Sequence, residues 1–275
     1  MLVAAASVDA ALLHAAFMDA YSDYIVRFDV PFAQWLALMA RHNVDLTLSR
    51  AEVVDGFVVG FALASPRPNE KVLRLASLGV VKAARRSGLG ARLLDDFIAR
   101  ASALGMTATE LEVIAQNEKA LRLYEGHGFV VVTSLYSYSS APSKKIHGVS
   151  VSTPEEITPA EAFAVVDSVS LHLELPLQVI PVSLKACSAP LLCWKQDSAV
   201  LIFTGDPSKV NILCLVDPSP NQQNALELVT ELRRRYINAA ISMSALQRRD
   251  VGGSAFERAG FEQALLHQFL MRRPT

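Results

Sequence analysis

Two hydrophobic periods alternate along this chain, and the switches between them lay out its elements. Residues 2–6 suggest a short strand. Val8–Ala20 repeats with the helical period, with Leu12, Leu13, Ala16 and Phe17 on one face. Pro31 suits the first turn of a second helix, which ends near Asn43. Ala51–Val54 and Phe57–Ala64 flank Asp55-Gly56, a hairpin signal, and Pro66, Pro68 and Asn69 mark a second turn. Val72–Val81 reads as a long strand. The next helix carries Leu93, Leu94, Phe97, Ile98 and Ala101 on one side and stops at Gly105. A strand at Leu111–Ile114, a short helix and a strand at Phe129–Tyr138 complete this half.

Ser139–Lys145 is polar and contains Pro142, so the pattern predicts a domain boundary there: residues 1–139, a linker 140–147, and 148–275. Beyond it, Thr158-Pro159 opens a helix and Pro181 suits another. Leu191–Trp194, Val200–Thr204 and Asn211–Val216 read as strands, with turns at Gln196-Asp197 and Gly205-Asp206. A helix near Ala225–Arg235 and a strand near Ala239–Ser244 follow. The stretch Ala255–Phe261 lines up with Leu123–Phe129, and each is followed by an alternating strand. The chain thus reads as an internal repeat of one α/β fold.

Composition narrows the function classes. Apolar residues are 51% and charged residues 19%, enough for a substantial core, and the net charge of -1 gives no reason to expect general nucleic-acid affinity. Uncharged apolar runs are too short for a membrane span. The apolar N-terminus lacks a basic region and is broken by Asp9, His14 and Asp19, so it reads as strand and helix rather than signal peptide. Cys187, Cys193 and Cys214 have neither metal nor redox spacing and read as buried thiols of a reducing, cytoplasmic compartment.

The chemistry concentrates between the long strand and the helix after it. Arg85-Arg86-Ser87-Gly88-Leu89-Gly90 is basic, carries two glycines and runs directly into a helix at Ala91. A diphosphate needs several N–H donors aimed at one point. Glycines let the backbone approach, and a helix start adds free N–H groups and its positive dipole end. The same loop without a ligand would be a tight strand-to-helix turn. It is no Walker loop, since Gly-Lys-Ser/Thr is missing. It is no dinucleotide fingerprint either, since Leu93 stands at the third glycine position.

With its surroundings, a strand ending in Val, Arg-x-x-Gly-x-Gly, a helix, a strand, then Asn117, Ala120-x-x-x-Tyr124 and Gly128-Phe129, the segment resembles the GNAT acetyltransferase superfamily over residues 1–139. Lys82 stands where that family usually has proline. The resemblance implies two domains, each a mixed, largely antiparallel sheet flanked by helices. It implies acetyl-CoA, or another acyl-CoA, as donor. It implies that the backbone of Leu78, Gly79 and Val80 pairs with the pantetheine arm, that Arg86 through Ala91 hold the pyrophosphate (Arg86, Ser87, Gly88, Leu89, Gly90 and Ala91) with Arg85 adding charge, and that Asn117 contacts the cofactor near the pantetheine. Tyr124 is implied beside the thioester sulfur.

Transfer from a thioester to an amine needs a neutral amine, a stabilised oxyanion and a protonated leaving thiolate. A strand N–H at Val80 suits the second need and Tyr124 the third. For the first, the Val72–Val81 strand has no carboxylate. Glu112, Asp23, Asp29, Asp45, His42 and His127 remain as candidates, each with an ordinary structural role as the competing reading. In the second half the matching loop, Val216–Asn224, has no glycine, no arginine and two prolines, and Phe256 stands where Tyr124 stands. That half reads as degenerate, lending support and a wall to the acceptor site. Asp250-Val251-Gly252-Gly253 reads as a turn opening a helix, with a second phosphate site as the competing reading. The expected reaction is direct acetyl transfer, in a ternary complex, to a primary amine of a small molecule or peptide; the sequence does not indicate an oligomeric state. The competing classes are a non-catalytic acyl-CoA sensor or interaction module, and a thiol-cofactor synthase built of tandem GNAT domains.

Overall fold

A computed structural model describes residues 1–26, 29–67, 69–142 and 153–275. Pro68 of the second turn and residues 143–147 of the linker lie outside them. The chain divides into two compact units: Met1–Val113 with Asn117–Val132 and Leu270–Thr275, and Ile114–Gln116 with Thr133–Phe269.

The first unit opens with β1 (Leu2–Ala4), α1 (Ala10–Tyr21), α2 (Phe32–Arg41), β2 (Asp45–Val54), β3 (Phe57–Arg67) and β4 (Val72–Val80). It continues through α3 (Leu89–Ala103), β5 (Ala108–Ile114) and α4 (Glu118–Gly126). Its strands run in the order β1-β2-β3-β4-β5, followed by the C-terminal strand Gln268–Pro274. β1 to β4 pair antiparallel, and β4 and β5 pair parallel. Asp55 and Gly56 both have positive φ and close the β2–β3 hairpin, as the Asp-Gly signal requires. Leu13 and Phe17 of α1 and Trp35 of α2 pack with Phe61 and Leu63 of β3. α3 buries Leu89, Leu93, Leu94, Phe97 and Ala101. It approaches β3 so closely that a Cβ on Gly60 would lie 2.8 Å from Leu89.

Two local readings need correction. Leu12 is exposed, because the buried stripe of α1 runs through Leu13, Ala16, Phe17 and Ala20. β2 begins at Asp45 rather than Ala51. Its polar first half is held by side chains: Ser49 Oγ accepts from Ala64 N at 2.9 Å and donates to Asp45 O at 2.7 Å, across a register shift between Asp45 and Arg50. A strand bonded through serine hides its apolar alternation.

The second unit contains β6 (Val130–Ser140, from Thr133 on), β7 (Glu155–Glu156), α5 (Pro159–Ser170), α6 (Pro181–Leu184), β8 (Leu192–Gln196) and β9 (Ala199–Gly205). β10 (Lys209–Val216), α7 (Gln223–Arg235), β11 (Ala240–Arg248), α8 (Ser254–Arg258) and β12 (Glu262–Gln263) follow. The order is β6-β11-β10-β9-β8-β7, with β12 also on β6. Only β10 and β11 pair parallel among the pairings described for this unit. Its core centres on Val200, Leu201, Ile202 and Phe203 of β9. Thr158 and Glu161 form a capping box at the start of α5, where the Thr-Pro signal predicts a helix. Burial pushes the Cys193 thiol up to about 11 and Cys214 to about 12, which makes them inert. Cys187 departs from the sequence reading and is only half-buried.

The internal repeat is visible atom by atom. Phe129 N donates to Tyr124 O at 3.1 Å, and Phe261 N donates to Phe256 O at 2.9 Å. Gly128 and Gly260, with φ of 82° and 77°, make the same left-handed turn in each. Among the described residues no helix is long and apolar enough to cross a membrane.

Candidate functional site

The first unit opens its sheet at one place. β4 and β5 pair only from Val72/Ala108 to Leu75/Leu111. There the register of β4 against β3 shifts, with Leu75 opposite Ala64 and Ser77 opposite Leu63, so Ala76 is an extra residue. Such a bulge bends its strand and ends pairing on the far side. Among the described residues, the last residues of β4 have no strand paired on that edge.

Alternation sets what that edge offers. Val81 N bonds Val59 O at 3.0 Å, so Val81 and, two residues back, Gly79 turn their polar groups toward β3. Leu78 and Val80 turn theirs outward, to the open side. Tyr21 donates to Leu78 O at 3.3 Å and Arg85 Nε to Val80 O at 3.3 Å. Gly79 faces Phe61 on β3, and a Cβ there would lie 2.3 Å from its ring, so its glycine is accounted for by packing.

The loop beyond β4 twice enters the left-handed region before a helix start. Arg86 and Gly88 have φ of 63° and 78°. Arg92 N makes the first bond of α3, to Gly88 O. The N–H groups of Leu89, Gly90 and Ala91 precede it and are spare helix-start donors. A Cβ on Gly88 would meet nothing within 4 Å, and one on Gly90 would meet only Leu123 and Val80 at 3.9 Å. Packing does not demand glycine at Gly90; the bare backbone leaves room outside, which fits a diphosphate. Ser87 Oγ donates to Ala84 O at 2.7 Å. The Arg85 side chain is tied to Asp23 at 2.7 and 2.8 Å and to Ala20 O at 2.9 Å, while Arg86 is exposed.

At the same end, the Asn117 side chain caps α4 by accepting from Ala120 N at 3.2 Å and hydrogen-bonds Tyr24. Tyr124 lies two turns into α4, buried edge-on to Phe129 at 5.9 Å. Burial, then the neighbouring Tyr21 and Tyr24 hydroxyls, hold its own hydroxyl well above the ordinary phenol value, so it carries its proton. Burial pushes Tyr21 up to about 12, and its hydroxyl also sits 2.7 Å from Ser77 Oγ. The structure thus brings together Leu78, Val80, the Arg86–Ala91 loop, Asn117 and Tyr124. It adds Tyr21, Tyr24 and Ser77, which the sequence reading missed. Tyr21 ends α1 and Tyr24 lies three residues beyond it, but no local signal connects them with residues more than 50 positions away.

Most base candidates have other occupations. Glu112 is buried against Arg74. Arg85 holds the Asp23 carboxyl at about 2. Asp45 is engaged with Thr47 and Leu48. Burial, with Arg74 and Arg41 nearby, pulls His42 down to about 3. His127 Nδ1 contacts Leu123 O at 2.6 Å, and its Nε2 is 3.4 Å from Asp95. Asp29 is exposed.

Residues 11–129 match the model of the acetyltransferase (GNAT) family. No curated protein sequence matches the chain. Among solved structures, the fold is similar to a GCN5-related N-acetyltransferase from Sphaerobacter thermophilus, at 16% identity and a TM-score of 0.66, covering 100% of this chain and 95% of that one. A tandem GNAT protein from the clavulanic acid biosynthesis pathway is similar at 16% identity and 0.61, covering 100% and 98%. A GCN5-related N-acetyltransferase from Kribbella flavida is similar at 12% and 0.61, covering 100% and 70%. At these identities the likeness concerns the fold.

Proposed function

We propose, from the match of residues 11–129 to the acetyltransferase (GNAT) family model and the GNAT-like fold, that the chain is an acyltransferase whose first unit, with residues 1–139 as the catalytic domain, transfers an acetyl group from acetyl-CoA to a primary amine in one ternary complex. The observation that carries this reading is a convergence. The β4–β5 opening, the amide-lined loop and a proton-bearing Tyr124 all lie at the C-terminal end of β4.

In this reading the loop amides from Arg86 to Ala91 bind the pyrophosphate, and the Leu78 and Val80 N–H groups take the pantetheine arm and the acyl carbonyl. Asn117 fixes the start of α4 and so the place of Tyr124. The acceptor nitrogen attacks the acyl carbon and the carbon–sulfur bond breaks. The Tyr124 hydroxyl gives its proton to the departing sulfur and recovers one from solvent as the new amide nitrogen loses its own. A buried tyrosine that resists ionisation suits an acid, because it stays loaded at neutral pH. The second unit is the degenerate copy, in a cytoplasmic protein. Calorimetric titration with CoA, followed by acetyl-CoA turnover over a panel of small and peptide amines, tests the reading. Absence of CoA binding overturns it.

A further inference from the structure

Among the described residues no group hydrogen-bonds the Tyr124 hydroxyl. Its place is set by the packing around its ring and by how α4 is held. α4 has nine residues, too few to be stable alone, so contacts at its two ends fix it. At the first end Asn117 caps Ala120 N and bonds Tyr24. At the other end the chain turns at once. His127 N and Phe129 N both donate to Tyr124 O, at 3.0 and 3.1 Å, with the left-handed Gly128 between them.

One side chain clamps that turn from outside. Arg273 Nε donates to His127 O at 2.8 Å, and Arg273 Nη1 donates to Pro274 O at 2.8 Å. The arginine lies across Gly128, where a Cβ would stand 3.5 Å from its Nε. It is a cation at the C-terminal end of a helix, where the dipole favours one. Arg273 belongs to the strand Gln268–Pro274, and residues 270–275 are part of the first unit. This strand is tied to the start of β5: Thr109 Oγ1 donates to Arg273 O at 3.4 Å, and Thr275 N to Thr107 O at 3.2 Å. β5 pairs with β4 over that same stretch, from Ala108 to Leu111. A path of bonded groups thus runs from β4 through β5 and Arg273 to the turn that carries Tyr124.

The second unit has the same clamp without the phenol. Arg233 of α7 donates to Ala259 O, the carbonyl matching His127 O, and a Cβ on Gly260 would lie 3.0 Å from Arg233 Nη1. Phe256 stands at the place of Tyr124, so that clamp has no hydroxyl to place.

We propose that Arg273 is a positioning residue for the proposed acid: its bond to His127 O holds the last turn of α4, and with it the Tyr124 hydroxyl, within reach of the thioester sulfur. An acid must come within about 2.6–3.2 Å of its acceptor, so a small shift of the helix end matters. Arg273 acts through the turn and does not touch the reacting atoms. This inference rests on the acetyl-CoA reading.

The test is Arg273→Ala in the full chain, with Arg233→Ala as the matched control. CoA affinity by calorimetry stays within about 2-fold in both, because the loop that takes the diphosphate is untouched. With hydroxylamine as surrogate acceptor, kcat falls by about 10-fold in Arg273→Ala, a part of the roughly 10²–10⁴-fold that an acid contributes. It stays within about 2-fold of wild type in Arg233→Ala. In a Tyr124→Phe background Arg273→Ala costs less than about 2-fold, because its effect runs through the missing hydroxyl. A readout independent of turnover is the ring-carbon NMR signal of Tyr124, identified among the six tyrosines as the one lost in Tyr124→Phe. It moves in Arg273→Ala and not in Arg233→Ala. Where Arg273→Ala folds poorly by circular dichroism, Arg273→Lys is read in the same way and gives smaller changes in the same direction. An unmoved Tyr124 signal, or an equal fall in kcat with and without the Tyr124 hydroxyl, overturns the positioning role alone. A wild-type chain that binds no CoA overturns the proposed function, and this inference with it.

Discussion

The two units share one sheet device and use it differently. β4 carries an extra residue at Ala76, and β10 carries one at Leu213, where Ile212 faces Phe203 and Cys214 faces Ile202. In each the parallel partner pairs for four residues and then stops, at Leu75/Leu111 and at Ile212/Met243. Counting from the bulge, Leu215 stands at the place of Leu78, and Asp217 at that of Val80. In the first unit the Leu78 carbonyl is capped from α1. In the second, Leu215 O is reached from β11 by Gln247 Nε2 at 3.2 Å, and the same amide donates to Arg248 O and Val251 O. The chain then packs onto β10 so tightly that a Cβ on Gly252 would lie 3.0 Å from Leu215. Where the first unit has a row of spare amides, the second has a buried carboxylate. Asp217 accepts from Ala225 N at the start of α7, and from the N and Oγ of Ser219. In the second unit an amide and an acid stand at the corresponding positions. A shared fold therefore does not carry a shared site.

The largest expected effect separates the units by binding. CoA titrates at one equivalent per chain, and Gly90→Glu, which places a bulky anion at the loop mouth, leaves no CoA binding detectable by calorimetry. A second equivalent, or wild-type affinity in Gly90→Glu, breaks the comparison.

The next concerns the acids. Tyr124→Phe lowers kcat by about 10²-fold, at the low end for general acid catalysis because a CoA thiolate leaves readily, with CoA affinity nearly unchanged. Because burial raises the Tyr124 value, its proton is present below and well above neutrality. Wild-type kcat accordingly shows no fall from loss of this acid between pH 7 and about pH 10, the ordinary phenol value. Adding Phe256→Tyr to Tyr124→Phe restores nothing, since Phe256 is fully buried, stacked on Tyr138 at 4.9 Å. Restored turnover would mean that the second unit retains a working cleft.

A smaller effect probes the filling of the second unit. Asp217→Ala leaves the Ser219 and Ala225 amides without their acceptor and costs about 1–3 kcal/mol of stability in urea unfolding. Sulfate or pyrophosphate then raises the Tm of the variant more than that of the wild type, because an external anion finds the amides the carboxylate had covered. Equal Tm gains would show that Asp217 is an ordinary helix cap.

The loop from Arg85 to Ala91 and the start of α3 were legible in the sequence, because glycine spacing, a helix start and the apolar stripe of Leu93, Leu94 and Phe97 are properties of neighbouring residues. So was the contrast between Tyr124 and Phe256, since both sit before the same Gly-Phe turn. Arg85 shows the limit. Its sequence marks it as charge for a phosphate, but the fold places Asp23 within reach and makes its side chain a strut.

The sequence by itself determined most helices and strands, though not the serine-held start of β2, and it determined where the amides bunch and which half keeps a phenol, since each depends on contacts within a few residues. Tertiary structure decided which edge stays open. Leu78 meets a tyrosine 57 positions earlier, and Leu215 a glutamine 32 positions later. Hydrogen bonds over such separations exist only once the strands have paired, so no local pattern of residues announces them.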